Sequence, residues 1–116
     1  MERKIQIGLL CEIYGSLLTK RQFNILNDYA NSDLSLTEIA ENNNITRQAV
    51  NDIVKKGELK LLSYEEKLGV MEKTLKQEKK VQEILTELSK LNKDVTDTKL
   101  NKKLETIKKQ LKKLDA

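Results

Sequence analysis

The segment Thr46-Arg47-Gln48-Ala49-Val50-Asn51, followed by Lys55-Lys56, holds the side chains of this 116-residue sequence best suited to recognition chemistry. Arg, Gln and Asn match the donor and acceptor patterns of guanine and adenine edges, and Lys meets a phosphate as a point charge. On a helix, Arg47, Gln48 and Asn51 share the first turns, Thr46 offers a hydroxyl beside a capping role, and Lys55 and Lys56 reach phosphates further along. Those residues also read as an ordinary solvated face or as a protein-binding one. Catalysis has little to work with. There is no His, and the single Cys11 cannot form a redox pair, a Cys₂ metal site or an intrachain disulfide. Carboxylates such as Asp52 and Glu58 stand without a nucleophile-base pair, a metal cluster or a GxxxxGK loop. The expectation is a non-enzymatic protein with no catalytic residue, metal site or cofactor.

What must position those residues is helical. With 3% aromatics, 34% charged residues and no Pro, a β-sandwich or barrel lacks its strand and turn residues, and an all-α fold is expected. Three helix starts carry capping devices. Thr19 and Gln22 form a capping box, stapled by Leu18 and Phe23; Ser35 and Glu38 form a second, stapled by Leu34 and Ile39. Thr46 starts a further helix, stapled by Ile45 and Val50, with Ala49 in place of the box residue. Each such cap contributes about 1 kcal/mol. Ahead of them a helix is expected from about Lys4 to Tyr14, with Ile5, Leu9 and Ile13 on one face, Leu10 and Tyr14 further round, and Gly15 as a left-handed terminator. The next two are expected over Lys20 to about Ala30 and Leu36 to about Asn42, and the fourth from Arg47 toward Leu61. A short helix, a tight turn and a second capped helix make a helix-turn-helix pattern. Ala40 is small where the axes cross, Asn44 tolerates the positive φ that the turn needs, and Ile45, Val50 and Ile53 fill the wedge.

Four blocks in order, Tyr14–Gln22, Asp33–Glu41, Ile45–Val50 and Tyr64–Leu68, resemble the YlxM family of small bacterial helix-turn-helix proteins. The resemblance covers about residues 9–70 and implies a motif like region four of sigma-70 factors, DNA binding, and a role in the signal recognition particle pathway, beside whose GTPase such proteins are usually encoded. The alternative it implies is an RNA- or protein-binding adaptor of that GTPase or its ribonucleoprotein. Asn42–Asn44, Lys55-Lys56 and Gly57 depart from the family pattern. A mid-helix Gly costs about 1 kcal/mol relative to Ala, so the far end of the fourth helix is expected to bend or fray, leaving Lys60 outside the contact set.

The chain divides into a helix-turn-helix domain, residues 1–62, and a C-terminal helical region, residues 63–116. Residues 1–65 hold 8 Lys/Arg against 9 Asp/Glu, net −1, whereas residues 66–116 hold 14 against 9, net +5. Within residues 45–60 four basic residues oppose Asp52 and Glu58, so one copy is expected to bind DNA or RNA weakly. Ser63 with Glu66 forms a box that would open a long helix, and Thr96, stapled by Val95 and Leu100, would cap a last one after a break at Asn92–Asp94. The stripes Leu68, Met71, Leu75, then Val81, Ile84, Leu88, Leu91, Val95, then Leu100, Leu104, Ile107, Leu111, Leu114 are coiled-coil-like and too narrow for helices packed alone on a globule. They are expected to pair, as a hairpin or between subunits of a homodimer. No apolar run approaches the roughly 18–20 residues of a membrane span, and with no signal-peptide pattern the chain is read as cytoplasmic.

Overall fold

The computed structural model describes residues 2–94 and 96–114, and among them every regular element is helical. The helices are α1 (Arg3–Tyr14), α2 (Lys20–Ala30), α3 (Leu36–Asn43), α4 (Arg47–Leu68), α5 (Val70–Asp94) and α6 (Thr98–Leu114), with a 3₁₀ turn at Gly15–Leu17. The all-α class expected from the sequence is what the chain adopts. Two units form, residues 1–71 and 72–116.

The first unit is organised by its caps. Thr19 and Ser35 accept the backbone N–H groups of Gln22 and Glu38 at 3.2 and 3.1 Å, and both boxes close through the returning Gln22 and Glu38 side chains. Helices fixed at these ends bring one core together: Ile7, Leu10, Cys11 and Tyr14 of α1, Ile25 and Leu26 of α2, Ile39 and Ala40 of α3, and Val50, Val54 and Leu61 of α4, all buried with Leu18. Of the two apolar sets on α1 it is Leu10 and Tyr14, with Ile7 and Cys11, that turn inward. Ile5 is exposed, and Leu9 and Ile13 are only half-buried. Apolar residues surround this helix on most sides, so periodicity alone does not choose the face.

Two glycines act through close approach rather than through backbone freedom. Gly15 is right-handed, at φ −57°, and not the left-handed terminator expected; a Cβ there would lie 2.6 Å from the Phe23 ring. Gly57 sits buried inside an unbroken α4, where a Cβ would meet Leu26 Cδ1 at 2.3 Å. The expected fray at Gly57 is absent: the glycine lets α4 lie directly on α2, and the helix continues to Leu68.

No helix starts at Ser63, which lies within α4. The stop comes at Gly69, left-handed at φ 63°, and the cap for the following helix is Glu65. Its Oε1 accepts the Met71 N–H at 2.9 Å and the Tyr14 hydroxyl at 2.7 Å, while that hydroxyl accepts the Val70 N–H at 3.2 Å. Burial, and then the bond to Glu65, raise the Tyr14 pKa. One buried tyrosine of α1 thus ties the start of α5 to the end of α4.

In the second unit Asn92–Asp94 are the last residues of α5 rather than a break, and the helix ends just after them. Asp97 rather than Thr96 caps α6, accepting the Lys99 N–H through Oδ1 at 2.9 Å and the Asn101 N–H through its carbonyl at 3.0 Å; Val95 of the expected staple lies outside the described residues. Asn92 near the end of α5 donates to Glu105 of α6, so α6 turns back along α5 as a hairpin. Val81, Leu85 and Leu104 are its buried residues.

Candidate nucleic-acid interface

The turn between α3 and α4 is a Schellman-type stop. Asn44 is left-handed at φ 53° and ψ 42°, its N–H donates to the Glu41 carbonyl at 3.4 Å, and the Ile45 N–H reaches the Ala40 carbonyl at 3.1 Å. Asn carries the conformation that Gly usually supplies. Thr46 then caps α4, its Oγ1 accepting the Ala49 N–H at 3.0 Å. Ala40 is buried, Val50 is fully buried, and Ile45 and Ile53 pack against the core. The helix-turn-helix geometry read from the sequence is the geometry of the chain.

At the start of α4, Arg47, Gln48 and Asn51 line one shallow depression together with Leu36 of α3. Arg47 and Gln48 are exposed, and Asn51 is half-buried rather than exposed. Lys55 continues the same face one turn on, because four residues advance a helix by little more than a turn. Lys56 is exposed too, but stands about 100° further round. The structure thus brings Arg47, Gln48 and Asn51 together, extends them with Lys55 and sets Lys56 to one side. Lys60 turns toward α2, where its Nζ lies 3.3 Å from Gln22 Oε1.

Electrostatics at this face depend on a residue that the sequence reading missed. Arg3 of α1 grips both carboxylate oxygens of Glu58, with Nε at 2.9 Å from Oε1 and Nη2 on Oε2. That pairing neutralises one of the two acidic groups within residues 45–60, and the bond to Glu58 in turn raises the Arg3 pKa. The other, Asp52, accepts the Gln48 side-chain amide at 3.2 Å and so orients it. Next to Arg3, Lys4 bonds Asp33 at 3.1 Å and lies 4.6 Å from the Tyr29 ring centroid, so the first turn of α1 fastens both α4 and the α2–α3 turn. These partners are separated by 55 and 29 residues in sequence, and no local pattern announces them. Leu36, which walls the depression, reads in the sequence only as the first residue of a capped helix.

Comparison with known proteins follows the same outline. Residues 1–103 match the family described as "UPF0122: Putative helix-turn-helix protein, YlxM / p13 like". The chain belongs to this family. A UPF0122 protein of Acetivibrio thermocellus is 44% identical over 108 residues, covering 90% of this chain and 92% of that protein. One from Clostridium perfringens strain SM101 is 42% identical over 109 residues, covering 92% and 97%. One from Clostridium acetobutylicum is 49% identical over 73 residues, covering 63% of each chain. Among the described residues no helix of this family member is long and apolar enough to cross a membrane, and no group of three or more His, Cys, Asp or Glu is placed to hold a metal ion.

Proposed function

We propose that this chain is a non-enzymatic, cytoplasmic regulatory protein that binds nucleic acid through the first turns of α4. Arg47, Gln48 and Asn51 meet base edges, while Thr46, Lys55 and Lys56 meet the backbone. The observation that carries the reading is the convergence of three base-reading side chains on one depression, at the start of a capped helix leaving a helix-turn-helix turn. With so few cations per copy the protein binds as a homodimer, which doubles the contact set and suits a two-fold related pair of half-sites. In this reading the motif works like that of sigma-factor region four.

The test is fluorescence anisotropy with labelled duplex DNA selected from a randomised pool, and with a structured RNA, across a salt series. Binding that weakens with salt, and that drops on Arg47→Ala with Asn51→Ala, supports the reading. Absence of binding at about 50 mM salt, where phosphate contacts are favoured, overturns it.

A second reading has its own support in the net charge of −1 over residues 1–65 and in Asp52 on the recognition face. A surface of that charge also suits a protein partner, and the family resemblance points to the signal recognition particle GTPase or its ribonucleoprotein. A pull-down with and without nuclease separates the two: recovery of that GTPase after nuclease treatment favours the adaptor, and its loss favours nucleic acid.

A further inference from the structure

The positive charge of the α5/α6 hairpin is concentrated in its second helix. Seven Lys stand against one Glu in α6, net +6, whereas the longer α5 holds six Lys against five acidic residues, net +1. The side of α6 turned to α5 carries Asn101, Leu104 and Lys108: Leu104 is buried, Lys108 is largely enclosed, and Asn92 of α5 donates to Glu105 beside them. On the opposite side, centred about 160° from Leu104, the residues Lys99, Lys102, Lys103, Lys109 and Lys113 fall within an arc of about 120°. All five are exposed. Thr106 and Gln110 lie between them, and no acidic residue falls in the arc. Glu105 borders one edge, where Asn92 and Lys108 hold it, and Ile107 and Leu114 border the other.

The lysines of the two helices are used differently. On α5, Lys76 and Lys90 pair with Glu72 and Glu87 along the helix; among the described residues none of the five lysines on the outer side of α6 is in an ion pair. Lys99 with Lys103, and Lys109 with Lys113, are instead like charges four residues apart, which weaken an isolated helix. An extended anion turns that repulsion into attraction. The five ammonium groups are spread over about 21 Å of helix axis, a length in which duplex nucleic acid carries about 12 phosphates. The Thr106 hydroxyl and the Gln110 amide are donors of the kind that reach phosphate oxygens. A membrane surface is the poorer match, because a helix lying in lipid buries an apolar side with its lysines along the margins, and the lysine arc of α6 is polar throughout.

We infer that the outer side of α6 is a second nucleic-acid contact, separate from α4, that holds the phosphate backbone of a duplex without reading its sequence. It supplies the cations that residues 1–65, net −1, lack. With Lys55 and Lys56 it brings the phosphate contacts of one copy to about seven, within the range of about 6–10 made by proteins whose affinity depends steeply on salt. The class of ligand rests on the reading of the protein as a nucleic-acid binder, whereas the site itself does not depend on α4.

Fluorescence anisotropy of the full chain with a labelled DNA duplex of unselected sequence, across a salt series, is the test. Lys102→Gln, Lys109→Gln and Lys113→Gln together keep good helix formers at three exposed positions. They should flatten the slope of log affinity against log salt by about 3 per bound copy, and lower affinity at about 50 mM salt tenfold or more. Arg at the same three positions should keep the wild-type slope. Lys76→Gln, Lys79→Gln and Lys90→Gln remove equal charge from α5 and should leave the slope nearly unchanged, with circular dichroism showing equal helix content in the two triple variants. A slope indifferent to the α6 changes, or flattened as much by the α5 changes, overturns the inference. So does flotation with phosphatidylserine vesicles that requires the α6 lysines, beside an unaltered duplex slope, since it assigns the face to lipid. Failure of the α4 reading is a different result: affinity for a selected sequence ignores Arg47→Ala with Asn51→Ala, while the α6 lysines still set the salt slope. Absence of any duplex binding at about 50 mM salt overturns both.

Discussion

Replacing Gly57 with Ala sets two opposed effects against each other on α4. In an exposed helix the change stabilises by about 0.8–1 kcal/mol, the propensity penalty that Gly carries. Gly57, however, is buried against α2. A Cβ there would lie 2.3 Å from Leu26 Cδ1 and 3.1 Å from Cγ, so one branch of the leucine and its branch carbon stand in its way, while Cδ2 at 3.5 Å is in ordinary contact. Leu26 has no exposed surface and cannot swing into solvent. Relief requires α2 and α4 to separate or Leu26 to leave its rotamer, and overpacking of this kind costs about 1–3 kcal/mol. With Cδ1 far inside contact distance and the branch carbon tight as well, we take the upper part of that range and expect a net loss of about 1–2 kcal/mol after the propensity gain. Urea unfolding followed by helical circular dichroism measures it. The partner experiment is Leu26→Ala, which alone loses about 2–5 kcal/mol. In that background the obstruction is gone and Gly57→Ala becomes stabilising, giving a coupling of about 2 kcal/mol between the two sites. A Gly57→Ala protein more stable than wild type, or an equal effect in both backgrounds, would refute the close-approach account.

Ser35→Ala and Thr46→Ala each remove the acceptor of a backbone N–H and should lower stability by about 1 kcal/mol in the same urea assay. Tyr14→Phe leaves Glu65 and the Val70 N–H without their shared hydroxyl and should cost about 1–2 kcal/mol; hydrogen exchange should report earlier opening at residues 65–71. Burial pushes the Cys11 thiol from 9.0 up to about 11. A group with a raised folded-state pKa contributes stability that is intact below its unfolded value and lost as pH rises through the folded one. Stability should therefore fall between pH 9 and 11 by on the order of 2–3 kcal/mol from this group, and Cys11→Ala should flatten that decline. Tyr14, also raised, adds in the same direction from about pH 10 upward.

The motif was legible because its determinants are local. Thr19, Ser35 and Thr46 satisfy backbone groups three residues away, and Asn44 occupies the turn position that needs a left-handed residue, so spacing alone reveals them. Helix boundaries set by competition were not. Ser63 and Glu66 have the spacing of a capping box, but Gly69 lies further on and Glu65 is drawn to Tyr14 of another helix, so α4 runs through the apparent start. The roles of Gly15 and Gly57 depend on Phe23 and Leu26 across a helix interface, information that no window around a glycine contains. Glu58 reads as a charge opposing nucleic acid until Arg3, 55 residues earlier in the chain, is seen to hold it. In the hairpin, the apolar stripes were visible as pairing surfaces, but which residues face inward and which form the outer face emerges only once Asn92 is found against Glu105.

The most direct measurement of the central claim is the salt dependence of nucleic-acid affinity for the wild type, for Arg47→Ala with Asn51→Ala, and for Lys55→Ala with Lys56→Ala. Each phosphate contact contributes about −0.9 to the slope of log affinity against log salt on duplex DNA. Loss of two lysines per copy should therefore flatten that slope by about 2 for one bound copy and about 4 for a pair. The Arg47 and Asn51 changes should weaken the selected sequence by about tenfold or more and reduce its preference over unrelated sequence. An affinity for the selected sequence that ignores the Arg47 and Asn51 changes, with a salt slope that ignores the lysines, would contradict the account.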